Sequence, residues 1–225
     1  MQFYKIANVL DRERVERVRT RLEALTFVDG IVTGATIGQQ VKFNQQVKAR
    51  REDLVPLVED IQGALLSREE FTGVAFPRKM HLNFNRYVEG MHYGDHNDAA
   101  VVGAGMAAAV RTDLSFTLFL ADPDEYDGGD LVIRTSLADS RIKLPAGDAV
   151  LYEGSTVHCV EPVTRGVRLA AFGWIQSLIR DPRQREILAQ LRRARRALIE
   201  ERPDSPHLNE LGNAYNNIMR MWTDG

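Results

Sequence analysis

The chain has 225 residues, 44% of them hydrophobic and 27% charged, with a formal net charge of -2. That length fits one well-filled core with an appendage and excludes two full-sized domains. The near-neutral balance gives no bulk attraction to nucleic acid, and no apolar run is long enough to span a bilayer. Cys159 is the only cysteine, which excludes an internal disulfide. With an N-terminus that lacks signal-peptide features, it predicts a cytoplasmic protein.

In chain order, the first expected element is a helix over residues 10–26, where Val15, Val18, Leu22 and Leu25 recur at three- and four-residue steps. A second covers 53–66, with Leu54, Leu57, Val58, Ile61 and Leu65 on one stripe. Between them Gly30, Gly34 and Gly38 punctuate an irregular or extended stretch ending in Val41-Lys42-Phe43-Asn44-Gln45-Gln46. Lys42, Asn44 and Gln46 share a face of that stretch. They either line a cleft or form a solvated strand face, and the solvated face is the preferred reading.

From residue 78 the period changes to two. Met80, Leu82 and Phe84 alternate with His81, Asn83, Asn85 and Tyr87, as on a strand packed on one face and lining a polar site on the other. Strands follow at 114–121, 130–134, 148–152, 157–161 and 167–176, separated by Asp127-Gly128-Gly129, Pro145-Ala146-Gly147-Asp148 and the segment from Pro162 to Gly166. Short strands with turns between them predict a mainly β, α+β protein: an antiparallel jelly roll flanked by helices. The tail is helical again. Asp181-Pro182 opens one helix with Ile187, Leu188, Leu191, Ala194 and Leu198 in its stripe. Ser205-Pro206 opens another, whose Leu208, Leu211, Tyr215, Ile218 and Trp222 form a narrow seam. That seam either folds back on the barrel or pairs with a second copy, and self-association into a homo-oligomer is the preferred reading.

The chemistry concentrates around His96-Asn97-Asp98. The two outer side chains lie on one side of an extended segment and can reach a single ion. His158 supplies a second imidazole from a late strand. Two imidazoles and one carboxylate form the ligand set of non-haem Fe(II) oxygenases, leaving open positions on the metal. Ten residues beyond His158, Arg168 offers a fork of donors for a dicarboxylate such as 2-oxoglutarate. A hairpin turning near residue 164 would set Arg168 opposite Val160, on the same face as His158.

This order of ligands resembles the prolyl 4-hydroxylase-like branch of the Fe(II)/2-oxoglutarate dioxygenases. More narrowly, Val41-Lys42-Phe43-Asn44-Gln45, Ser115-Phe116-Thr117-Leu118-Phe119-Leu120, Tyr126-Asp127-Gly128-Gly129 and Arg168-Leu169-Ala170-Ala171-Phe172-Gly173-Trp174-Ile175-Gln176-Ser177 resemble the bacterial PKHD-type hydroxylases, the iron-uptake-associated PiuC/YbiX group. The resemblance implies a double-stranded β-helix core over residues 78–178, with an N-terminal region at 1–77 packed on it and a helical segment at 179–225. It also implies Fe(II) on His96, Asp98 and His158, 2-oxoglutarate on Arg168, O2 as co-oxidant and L-ascorbate dependence. Tyr87 is implied as a cosubstrate contact. A second tyrosine expected on a middle strand is matched here by Phe119, whose face-mates Thr117 and Ser115 could supply a hydroxyl instead. The substrate, a protein or a small molecule, is not implied.

Two rival functions stand beside hydroxylation of a protein: an oxygenase of the same chemistry acting on a siderophore or amino acid, and a non-catalytic metal sensor or store. Arg168 argues against the store, which needs no guanidinium beyond its metal. Other features have bland readings. His81, on the polar face, either approaches the site or is a hydrogen-bonded structural histidine, the preferred reading; His92 is expected to be a loop residue and Cys159 a buried residue pointing away from the metal. The acidic run from Asp122 to Gly128 lacks calcium-loop spacing and reads as a turn. Residues 97–109 form either a lid or a surface loop. Arg192, Arg193, Arg195 and Arg196 read as the solvated side of a helix balanced by Glu186, Glu200 and Glu201, not as a phosphate-binding patch.

Overall fold

A computed structural model describes residues 3–33, 41–106, 108–136 and 138–223. The expected punctuation at Gly34 and Gly38, and Ala107 of the candidate lid, lie outside the described residues. The N-terminal part runs β1 (Tyr4–Ile6), α1 (Arg12–Glu23), β2 (Thr26–Asp29), β3 (Lys42–Phe43), β4 (Gln45–Lys48), α2 (Arg51–Leu66) and α3 (Glu69–Ala75). The strands that follow are β5 (Pro77–Tyr87), β6 (His92–His96), β7 (Val101–Val102), β8 (Val110–Arg111) and β9 (Leu114–Phe119). Next come β10 (Tyr126–Gly128), β11 (Leu131–Ile133), β12 (Ser140–Ile142), β13 (Ala149–Glu153), β14 (His158–Val160), β15 (Val163–Gly166) and β16 (Arg168–Ser177). Two helices close the chain, α4 (Pro182–Glu201) and α5 (His207–Trp222).

The helices form where their stripes find cover. Asp11 caps α1 by accepting from the Arg14 amide, and Val15, Val18 and Leu22 are buried. The helix stops short of residue 26 because Thr26 onward pairs with β4 instead. Leu57, Ile61 and Leu65 bury one side of α2. The short α3 was not signalled by its sequence; it buries Phe71 and Ala75 and ends where Phe76 turns to a positive φ of 44°.

Among the described residues every strand pair is antiparallel. The largest sheet has seven strands in the order β1-β13-β9-β16-β5-β4-β2, a second has five, β12-β11-β14-β6-β3, and β10-β15 and β7-β8 form two-stranded sheets. The N-terminal strands thus extend the core sheets while α1, α2 and α3 cover the outer face of the larger one, through Leu82, Phe84, Ala171 and Ile175. Between the sheets, Phe119, Leu131, Ile133, Ile142, Val150 and Val163 fill the closed end. This is the expected jelly roll. Among the described residues no helix is long and apolar enough to cross a membrane.

The hairpin expected between 157–161 and 167–176 does not form. β14 pairs with β6 and β11, whereas β16 lies between β5 and β9, so Arg168 faces Tyr87 rather than Val160. β16 is ten residues long, with no exposed position; pairing it with the three-residue β14 would leave most of its backbone without partners. β15 instead pairs with β10 and carries the chain between the sheets.

The C-terminal half of the α5 seam packs partly on its own chain, and no α5 residue is fully buried. Tyr215, Ile218, Met219 and Trp222 lie against the cluster of Phe76, Ile179 and Leu188. The stripe on α4 is narrower than expected, since Leu188 is buried but Ile187 is 44% exposed. Its arginines pair as expected: Arg193 with Glu186, and Arg196 with Glu200 and Glu69. Asp122 and Glu125 act as turn residues, paired with Arg12 and Arg19.

Candidate metal centre

β6 and β14 run side by side with His96 opposite His158, and the two rings are 4.3 Å apart between centroids. Asp98 follows β6 by two residues, its amide donating to the Gly154 carbonyl at 3.3 Å. One ligand atom from each of His96, Asp98 and His158 lies within 4.8 Å of the others; among the described residues no other such trio occurs.

The surroundings suit a metal. His96 Nδ1 lies 2.7 Å from the Gly94 carbonyl, and His158 Nδ1 3.0 Å from that of Thr156. Each Nδ1–H therefore donates to backbone, fixing the tautomer in which Nε2 carries the free lone pair. Burial, and then the neighbouring His158, push the His96 pKa down to about 4, which keeps its ring neutral. The Tyr93 ring stacks on His96 at 3.5 Å, and Tyr152 meets His158 edge-on at 4.9 Å. Ser115 Oγ donates to Asp98 Oδ2 and orients the carboxylate. Two imidazoles and one carboxylate, braced by backbone and hydroxyl, match the donor set that binds ferrous iron.

Arg168 begins β16 and is 1% exposed. Its guanidinium carbon sits 5.2 Å from the Tyr87 ring centre and 5.4 Å from that of Phe119. Its Nε and Nη1 are buried without a hydrogen-bond partner, and no carboxylate among the described residues pairs with it. An uncompensated buried cation costs several kcal/mol, so the site is built to receive an anion. Tyr87 lies beside it, its hydroxyl accepting from Asn44 Nδ2 at 2.8 Å. Burial raises the Tyr87 pKa, while Arg168 and Asn44 pull the other way.

These groups line a cavity of about 1070 Å³ between the sheets, which also holds Thr117. Lys42, Asn44 and Gln46 form part of its wall and are nearly fully buried, so the solvated face expected of them is wrong. A polar alternation marks them, but only the opposing sheet covers that face. Burial lowers the Lys42 pKa to about 8, with Asp29 acting in the opposite direction.

His81 stacks on Trp174 at the cavity wall, 5.7 Å between ring centres, instead of being held by a hydrogen bond. His92 starts β6 rather than lying in a loop, edge-on to Phe43. Cys159 is buried and stands outside the metal trio, as alternation predicts. Its thiol pKa is pushed up to about 11, chiefly by burial and then by Asp95. The candidate lid contains β7, which pairs with β8 just beyond it, and Val101, Val102 and Gly103 lie on the cavity wall. Ser115, considered for the cosubstrate, is committed to Asp98 instead. Tyr93 and Tyr152 were missed, since nothing local marks a tyrosine as neighbouring a distant ligand.

Comparison with known proteins agrees with this geometry. The 2OG-Fe(II) oxygenase superfamily profile matches residues 82–176. The chain is 44% identical over 222 residues to PKHD-type hydroxylase YbiX of Escherichia coli O6:K15:H31, covering 98% of this chain and 99% of that protein. Among solved structures it is similar to a Pseudomonas putida prolyl-4-hydroxylase, with a TM-score of 0.54 at 18% identity, covering 78% of this chain and 92% of that one. A Trichoplax adhaerens prolyl hydroxylase, solved with a hypoxia inducible factor peptide, gives a TM-score of 0.54 at 14% identity and covers 84% and 86% of the two chains. At such identities the structures speak for the jelly-roll fold alone; near full-length identity to curated relatives speaks for the family. The chain belongs to the PKHD-type hydroxylases, Fe(II)- and 2-oxoglutarate-dependent dioxygenases of the 2OG-Fe(II) oxygenase superfamily.

Proposed function

We propose that His96, Asp98 and His158 hold the ferrous ion of this hydroxylase and that Arg168 anchors the far carboxylate of 2-oxoglutarate. The observation that carries this is the convergence of three ligand atoms in the cavity that also contains a buried, unpaired guanidinium. The protein's part is orientation. Backbone carbonyls aim both imidazoles, Ser115 holds Asp98, and the rings of Tyr87 and Phe119 keep the guanidinium in place. Tyr87 and Thr117 flank the path from Arg168 to the metal ligands and contact the cosubstrate. With iron and 2-oxoglutarate bound, the centre supplies oxidising power that converts a substrate C–H to C–OH, using O2 and releasing succinate and CO2.

The substrate is an unidentified protein side chain or small molecule, linked to iron uptake as the group resemblance suggests. L-ascorbate sustains activity by re-reducing the metal after uncoupled turnover. The reaction takes place in the cytoplasm without nucleic-acid or membrane partners, in keeping with a basic run on α4 that is paired with glutamates. Homo-oligomerisation through α4 and α5 would use the exposed Ile187, Ile199 and Met221 together with the α5 seam, none of whose residues is fully buried.

Anaerobic titration with Fe(II) and then 2-oxoglutarate tests the site through the weak visible charge-transfer band of the chelate. The band should form in the wild type and be lost in Arg168→Ala at the same keto-acid concentration. An undiminished band in the variant refutes the anchoring role.

A further inference from the structure

Lys42 lies in the cavity wall, 6% exposed, on a strand that borders the proposed metal ligands. β3 pairs with β6 so that Lys42 stands opposite Tyr93. Gly94 makes the approach close: its amide donates to the Val41 carbonyl at 2.9 Å, and a Cβ there would stand 2.9 Å from Val41 Cβ. The Lys42 ammonium comes to rest 5.6 Å from the centre of the Tyr93 ring, which in turn stacks on His96. The cation is thus one ring removed from a ligand of the metal.

Charge decides what such a group is for. Among the described lining residues, Lys42 and Arg168 carry the ammonium and the guanidinium, and Asp95 and Asp98 the carboxylates. Asp95 is paired with Arg134. On the reading proposed above, on which this inference rests, the ferrous ion, the doubly negative keto acid, Asp98 and Arg168 neutralise one another. Lys42, still mostly protonated at pH 7, then leaves the cavity net positive, while Asp29 attracts it from outside the lining. Burying a cation is costly, and the complement of a positive cavity is an anionic guest. From the other sheet, β4 and β5 present the carboxamides of Gln46, Asn83 and Asn85, which both donate and accept; Asn85 Oδ1 is buried without a partner. Phe172 and Trp174, edge to face at 5.5 Å, add apolar wall. We propose that Lys42 selects the substrate, its ammonium binding the carboxylate of a small organic acid whose C–H is thereby held at the metal. Lys42 is nearly closed to bulk solvent, so the carboxylate enters the cavity with the molecule being oxidised. Polar groups on that acid pair with the carboxamide wall, and an amine in the same place is repelled.

The test uses full-length wild type, Lys42→Met and Lys42→Arg, loaded with Co(II) and saturating 2-oxoglutarate so that the Arg168 subsite is filled. Each is titrated with N-acetyl-leucine and with N-acetyl-leucinamide, which differ only in the carboxylate. Paramagnetic broadening of the probe's methyl resonances reads binding beside the metal. Wild type should bind the acid about 10- to 100-fold more tightly than the amide, the worth of a hydrogen bond between charged groups. Lys42→Met should abolish that preference and Lys42→Arg keep part of it, with 2-oxoglutarate affinity within about twofold of wild type in both. No binding of the acid by wild type, equal binding of acid and amide, or a preference that survives in Lys42→Met overturns the proposal. So does weakened 2-oxoglutarate binding in Lys42→Met, which would make Lys42 a cosubstrate contact. All of these leave Arg168 as the anchor. Failure of the wild type to bind 2-oxoglutarate, seen before any probe is added, overturns both readings.

Discussion

Ser115→Ala isolates the support of a single proposed metal ligand, Asp98. Ser115 is 2% exposed and sits mid-sheet on β9, opposite Trp174 on one side and Tyr152 on the other, so the strand holds its hydroxyl at Asp98 Oδ2. Alanine keeps the Cβ and the backbone pairing and removes only the donor. A hydrogen bond to a charged acceptor is worth about 1.5–3 kcal/mol net, which is roughly 10- to 100-fold in affinity. The removal of groups that orient metal ligands elsewhere spans about the same range. Water entering from the adjacent cavity would recover part of the loss, favouring the lower figure. Anaerobic competition titration against a chelator, with Fe(II) or Co(II), reads the effect. Metal affinity equal to wild type in a variant with an intact fold would refute the view that Ser115 holds the aspartate.

Two further perturbations test the packing around the site. In the folded chain Lys42 loses its proton near pH 8, against 10.5 for an ordinary lysine. Between those values the unfolded state binds more protons, so stability rises with pH across the window, and below it the full cost of the buried charge is present. Lys42→Met should therefore be more stable than wild type at neutral pH, with an advantage that shrinks from pH 8 to 10.5; urea midpoints across that range would show it, and a constant difference would not fit. Arg185 joins α4 to β13, bonding Glu153 at 2.5 Å and the carbonyls of Ile179 and Arg180 at 2.8 Å each while only 3% exposed. Arg185→Ala should cost about 3–5 kcal/mol of unfolding free energy by leaving those acceptors buried and unpaired, measured by urea denaturation. A loss below about 1 kcal/mol would mean that water replaces the guanidinium.

Local periodicity made much of this protein legible. Alternation along Met80 to Tyr87 predicted which face would meet the helices and which would line the site, and the i, i+2 spacing of His96 and Asp98 predicted that they converge. Both are properties of a few consecutive residues, set by backbone geometry alone. The partner of a strand is not such a property. Arg168 reaches the cavity, but through pairing of β16 with β5 rather than through a hairpin with β14, because a long strand with no exposed position takes neighbours long enough to satisfy its backbone. The same limit explains Lys42, Asn44 and Gln46, whose polar face looked solvated until a second sheet covered it. It also explains Ser115, an ordinary residue in sequence that acquires meaning only beside Asp98. The order of residues along the chain determined the ligand types and the faces that carry them. Which distant hydroxyls and amides would surround them was decided in three dimensions, where burial leaves each polar atom needing a partner and the sheet order supplies it.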